Sequence, residues 1–152
     1  MKCHKFYSDL ILKCHNFCAI IHLKSFNGGV FMLYRKIESL IEEHLKSDSK
    51  KILLIDGARQ IGKTYIINHV GKKLFENYIE INMIADSLGD RLFADTKTVE
   101  DFYLQVSMLE GDKMKNKENT LIFIDEIQAY PHLLTLLKFL KRDDKFTYIA
   151  SG

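Results

Sequence analysis

Proline and an excess of charge of either sign are what this sequence most lacks. Its 152 residues contain 1 proline, so no proline-rich linker divides the chain. Lysine and arginine number 22 against 20 aspartates and glutamates, a formal net charge of +2. That balance gives no whole-chain argument for nucleic acid or an anionic membrane as a partner. The 3 cysteines, Cys3, Cys14 and Cys18, all precede residue 32, and an odd number argues against a closed disulfide framework. Cys14, Cys18 and His22 are spaced four apart and would share a helix face. With His4 or His15 they can be drawn as a zinc site, but the spacing is not the usual C-x-x-C pair. Unpaired thiols in a partly apolar segment are the preferred reading. Long apolar runs are missing too. Residues 10–23 come nearest, yet they carry Lys13, His15 and Asn16 and are too short to span a bilayer. No small-residue cleavage site follows them, so they are not read as a secretory signal. There is no internal repeat and no low-complexity segment.

What remains is 47% hydrophobic and 28% charged, a composition for one soluble globular domain. Its organising stretch is residues 51–64, KILLIDGARQIGKT. Gly57, four further residues, and Gly62-Lys63-Thr64 fit the phosphate-binding pattern G-x-x-x-x-G-K-[ST]. Ile52, Leu53, Leu54 and Ile55 precede it as a strand buried on both faces. A helix-compatible segment, YIINHVGKKLF, follows. Gly57, Ala58, Arg59, Gln60, Ile61, Gly62, Lys63 and Thr64 are thus the candidate phosphate-binding residues. Their glycines permit backbone angles that turn N–H groups inward as a nest. The helix N-terminus adds its positive dipole end. Lys63 supplies a compact cation for the β- and γ-phosphates, and the Thr64 hydroxyl a ligand for Mg²⁺. Arg59 and Gln60 are read as loop surface rather than catalytic groups.

A second stretch, Leu121-Ile122-Phe123-Ile124-Asp125-Glu126, is four apolar residues ending in two carboxylates. This is a Walker B pattern, in which the strand delivers Asp125 toward Mg²⁺ and Glu126 orients or deprotonates the attacking water. Alone, two acids after a strand would be read as a helix cap. Beside the Gly57 loop, the catalytic reading is the stronger one.

The rest of the chain is read around these two stretches. The composition changes at Asn27-Gly28-Gly29, and residues 1–31 are set apart from a domain over 32–152. They are either an upstream extension or a genuine N-terminal helix or partner-binding arm. Leu33, Ile37, Leu40, Ile41 and Leu45 predict an amphipathic helix. Residues 78–82 predict a second strand, 84–94 a weak helix and 99–109 a stronger one. Residues 111–119 form a polar loop whose Lys113, Lys115 and Lys117 are read as solvated rather than as a nucleic-acid contact. Pro131 opens a helix whose apolar face holds Leu133, Leu134, Leu136, Leu137, Phe139 and Leu140. Residues 146–150 predict another strand, with Ser151 at its tip, either a group near the γ-phosphate or simply the first loop residue.

GARQIGKT, LIFIDEIQ (residues 121–128) and YIASG (residues 148–152) together resemble a prokaryotic AAA-type P-loop ATPase family. The likeness begins near Met32 and runs to Gly152. It implies a three-layer αβα parallel sheet, ATP and Mg²⁺, with Lys63, Thr64, Asp125 and Glu126 in functional positions. Ser151 falls on the sensor position. Family members continue past the position of Gly152, usually into a C-terminal domain of poorly defined function. The resemblance therefore implies a fold truncated after its fourth strand, with the far edge of residues 52–55 unpaired and no arginine finger. Arg35, Arg91 and Arg142 are read as surface residues.

The expected activity is ATP binding with Mg-dependent hydrolysis, in the cytoplasm. The alternatives are a nucleotide-binding fragment without turnover and a DNA- or partner-binding regulatory remnant. A small-molecule P-loop kinase is a further one, disfavoured by Glu126 beside Asp125 and by the lack of an Arg-rich lid. Nucleotide is the partner the motifs imply. An oligomer or a C-terminal partner domain follows only from the resemblance, nucleic acid has no support, and no membrane is expected.

Overall fold

Residues buried on both sides of a sheet cannot alternate apolar with polar, so the short apolar runs should become its central strands. The computed structural model, which describes residues 11–13, 21–24, 32–47, 49, 51–58 and 60–152, arranges them in that way. In chain order the strands are β1 (Ile11–Lys13), β2 (Ile21–Lys24), β3 (Met32–Arg35), β4 (Ile52–Ile55), β5 (Asn77–Asn82), β6 (Thr120–Asp125) and β7 (Thr147–Ser151). The helices are α1 (Lys36–Lys46), α2 (Lys63–Leu74), α3 (Met83–Leu88), α4 (Val99–Glu110) and α5 (Pro131–Asp143). Five strands form one parallel sheet in the order β1-β4-β7-β6-β5. β2 and β3 pair separately as an antiparallel ribbon.

Every residue of β4 and β6 is buried, and their side chains alternate between two cores. Leu53, Ile55, Leu121, Phe123 and Ile149 face Ile37 and Ile41 of α1 and Ile66, Ile67 and Val70 of α2. Ile52, Leu54, Ile122, Ile124, Tyr148 and Ala150 face the other way, toward Phe102 and Val106 of α4 and Leu133, Leu136, Leu137 and Leu140 of α5. This is the three-layer αβα architecture, with one helix layer on each side of the sheet. Gly71 lets α2 lie close to the sheet: a Cβ there would stand 2.5 Å from the Tyr78 ring and 2.9 Å from a Leu121 methyl.

Several expectations are corrected. β1 pairs in parallel with β4, Ile11 opposite Ile52 and Lys13 opposite Leu54, so the edge expected to be open carries a strand. Leu33 lies in β3, opposite Leu23, and the helix begins only at Lys36. Leu40 is 45% exposed and Phe139 51% exposed, so neither helps line a core. Helix α3 stops at Leu88 because the Asp86 carboxylate accepts the amides of Leu92 and Phe93 at 2.8 and 3.2 Å. That turn drives Phe93 into the core instead of continuing the helix. His22 lies in a strand rather than on a helix face, while Cys3, Cys14, Cys18, His4 and His15 lie outside the described residues. Among the described residues no helix is long and apolar enough to cross a membrane.

Candidate functional site

Because β4, β6 and β7 are parallel neighbours, their C-terminal ends open on the same side of the sheet. The loop after β4, the acids after β6 and Ser151 of β7 therefore meet there. The loop returns into α2 through Gln60 at φ 61° and Gly62 at φ 86°, both in the left-handed region. Glycine takes that conformation without a steric penalty, which is why Gly62 stands at the helix start. Lys63 opens α2, is 6% exposed, and donates from Nζ to the carbonyls of Gly57 at 2.6 Å and Ala58 at 3.1 Å. Its ammonium is thereby held inside the loop rather than released to solvent.

Asp125 is the hub of the site. It is 3% exposed at the end of β6. Its Oδ2 accepts from Thr64 Oγ1 at 2.9 Å, joining the helix after the loop to a strand 61 residues away. Its Oδ1 accepts from the Glu126 amide at 3.0 Å and from the hydroxyl of Ser151. Burial first, then the charges of Glu80 and Asp125, push the Tyr78 phenol above its ordinary range. Ser151 ends β7 as a fully buried strand residue, so its hydroxyl points at Asp125 and not into open solvent.

Glu126 turns the chain sharply. Its φ of 53° is left-handed, a strain of about 1–3 kcal/mol for a residue with a side chain, and such strain gathers at functional sites. The turn continues as a short 3₁₀ segment, Ile127–Ala129, whose Gln128 donates its side-chain amide to Glu126 Oε2. Gly57, Ala58, Gln60, Ile61, Gly62, Lys63 and Thr64 all lie on this loop and helix start, while Arg59 lies outside the described residues. Gln128 was not singled out from the sequence. Its signal was its place at the end of the LIFIDEIQ stretch, but its contact with Glu126 is visible only once the turn is known.

A family model described as an AAA domain matches residues 49–152, more than half of the sequence. The chain belongs to the AAA domain family. Its sheet and helix layers are those of a P-loop NTPase, and the family is one of ATP-binding, ATP-hydrolysing proteins. Among solved structures, "Structure of C. elegans PCH-2" is similar at 19% identity and a TM-score of 0.46. That similarity covers 76% of this chain and 34% of the other. No curated protein matches the sequence.

Proposed function

We propose that this AAA domain binds Mg-ATP at the C-terminal ends of β4, β6 and β7 and hydrolyses its β–γ bond. The bond from Thr64 Oγ1 to Asp125 Oδ2 carries the reading, because it joins the two sequence stretches into one oxygen-lined site. The donor set suits Mg²⁺. A carboxylate and a hydroxyl are hard oxygens, and Mg²⁺ takes few protein ligands while keeping water and phosphate oxygens. When bound, the ion would neutralise charge that develops on the β- and γ-phosphates.

The chain's own residues supply the remainder. Lys63 exchanges the neutral carbonyls of Gly57 and Ala58 for phosphate oxygens, which are stronger acceptors. The N-terminus of α2 faces the same anion. Ser151 and the Glu126 amide hold Asp125 Oδ1, so that Oδ2 stays directed at Thr64. Glu126 orients a water and accepts its proton. A new P–O bond forms at the γ-phosphorus, the bridging P–O bond breaks, and ADP leaves with the bonding electron pair.

Glu126→Gln keeps the shape and hydrogen bonding of the side chain and removes the base. It should leave Mg-ATP affinity within about twofold and abolish phosphate release in a single turnover, since general-base catalysis contributes about 10²–10⁴-fold. Unchanged turnover would reassign Glu126 to the backbone turn alone. A wild-type chain that binds Mg-ATP but releases no phosphate would reduce the reading to nucleotide binding.

A further inference from the structure

Gln128 is exposed, and its side-chain amide has a neighbour at each end. The Nε2 donates to Glu126 Oε2. The Oε1 lies against Gly152, where an added Cβ would stand only 2.7 Å from it. Gly152 itself is held in place, because its amide donates to the Ile55 carbonyl at the end of β4, at 3.2 Å. The amide therefore lies between the acid that follows β6 and the bare backbone that follows β7.

We propose that Gln128 is a positioning residue for Glu126, and that Gly152 is glycine to leave room for it. The inference rests on Glu126 being the acid that orients water. A glutamate on a surface turn has three rotatable side-chain bonds and would sweep a wide arc. The Gln128 donor occupies Oε2 and restricts that arc, leaving Oε1 to meet a water. The left-handed backbone at Glu126 starts the side chain in a defined direction, and the amide completes the constraint. Gly152 has no positive φ that would call for glycine, and its missing side chain leaves the space into which the Gln128 amide oxygen reaches. The sequence Asp125-Glu126-Ile127-Gln128 and the pair Ser151-Gly152 thus form one device. Ser151 holds the aspartate, and Gly152 makes space for the amide that holds the glutamate.

The test is a cycle of Gln128→Ala, Gly152→Ala and the double variant in the full chain. Misplacing a reacting group by about 1 Å can cost about 10²-fold, so each single variant should lower single-turnover hydrolysis by about ten- to hundredfold. ATP affinity should stay within about twofold, because neither side chain reaches the phosphate loop. The double variant should be no worse than Gln128→Ala alone, since the added methyl acts only through the amide. An independent readout needs no turnover. The Gln128 side-chain amide resonances, followed by NMR, should move on Glu126→Ala and again on Gly152→Ala. Resonances unmoved by both changes would overturn the contact. Turnover losses that multiply in the double variant, or undiminished turnover in Gln128→Ala, would overturn the positioning role. A failure of Glu126→Gln to affect turnover would instead remove the catalytic reading of Glu126, and the amide measurement would still decide whether Gln128 holds it.

Discussion

Asp125 offers a way to separate what holds the site together from what it does. Its two oxygens accept from Thr64 Oγ1, the Glu126 amide and Ser151 Oγ. Asp125→Ala removes both acceptor oxygens and with them all three bonds. Thr64 and Glu126 are only half-buried and can turn to water, but Ser151 is fully buried and is left without a partner. One orphaned buried hydroxyl costs about 1–3 kcal/mol, a sizeable part of the roughly 5–15 kcal/mol that stabilises a typical domain. Asp125→Asn should behave differently. Its amide oxygen can still accept from Ser151 and Glu126, and its NH₂ can donate to the Thr64 hydroxyl, which is free to rotate. The cost should be under about 1 kcal/mol, and relief from burying a charge can make the change neutral. Both variants should lose the Mg²⁺ dependence of ATP binding. Adding Ser151→Ala to Asp125→Ala removes the orphan and should recover about 1 kcal/mol or more, because deleting both partners of a buried bond is far cheaper than deleting one. Urea denaturation measures the stabilities, and ATP titration with and without Mg²⁺ measures the site. The reasoning is refuted if Asp125→Asn is as destabilising as Asp125→Ala, or if the double variant is the least stable of the set. Intact Mg²⁺ dependence in Asp125→Asn would remove the metal-ligand role.

Three further outcomes are expected. Lys63→Ala should weaken ATP binding by roughly ten- to hundredfold, from lost charge-assisted bonds of about 1.5–3 kcal/mol, and leave adenosine binding nearly unchanged; equal losses by calorimetry would refute the phosphate role. Gly71→Ala gains about 1 kcal/mol of helix propensity but overpacks against the Tyr78 ring and the fully buried Leu121 at a cost of about 1–3 kcal/mol, so a net loss is expected in urea. The Tyr78 hydroxyl is tied to Asn68, which hinders its ring from yielding, and a stabilised variant would contradict this packing. Burial holds the His44 imidazole below its ordinary value of 6.5, although the Lys51 carbonyl at 3.1 Å works the other way. The unfolded chain then binds the proton more readily, so the His44 contribution is complete above pH 6.5 and is lost as the pH falls from there toward the lowered folded value. His44→Gln should flatten the acid side of a Tm-against-pH curve, and an unchanged slope would refute the linkage.

Much of this protein is determined by the order of its residues alone. The run Ile52–Ile55 followed by Gly57, Gly62, Lys63 and Thr64 specifies a strand, a tight loop and a helix, because each step is a local matter of apolar burial and allowed backbone angles. The run ending in Asp125 and Glu126 does the same for a second strand. Those patterns were enough to read the α/β sheet and to nominate the loop and the acids as its site. Local pattern failed where distant partners decide. The Asp86 carboxylate ends α3 by capturing amides six and seven residues ahead, a bond that no periodicity announces. Leu40 and Phe139 fit helical spacing yet face solvent, since the apolar face of a helix is chosen by what packs against it. The pairing of β1 with β4 joins residues about forty positions apart and carries only a three-residue signal. The same holds for the site. Sequence could nominate Asp125, Thr64 and Ser151, but only the parallel order β4-β7-β6 brings their oxygens within hydrogen-bonding distance. The contacts of Gln128 with Glu126 and Gly152 appear only there, because a side-chain amide lying between two strand ends exists in space and not along the chain.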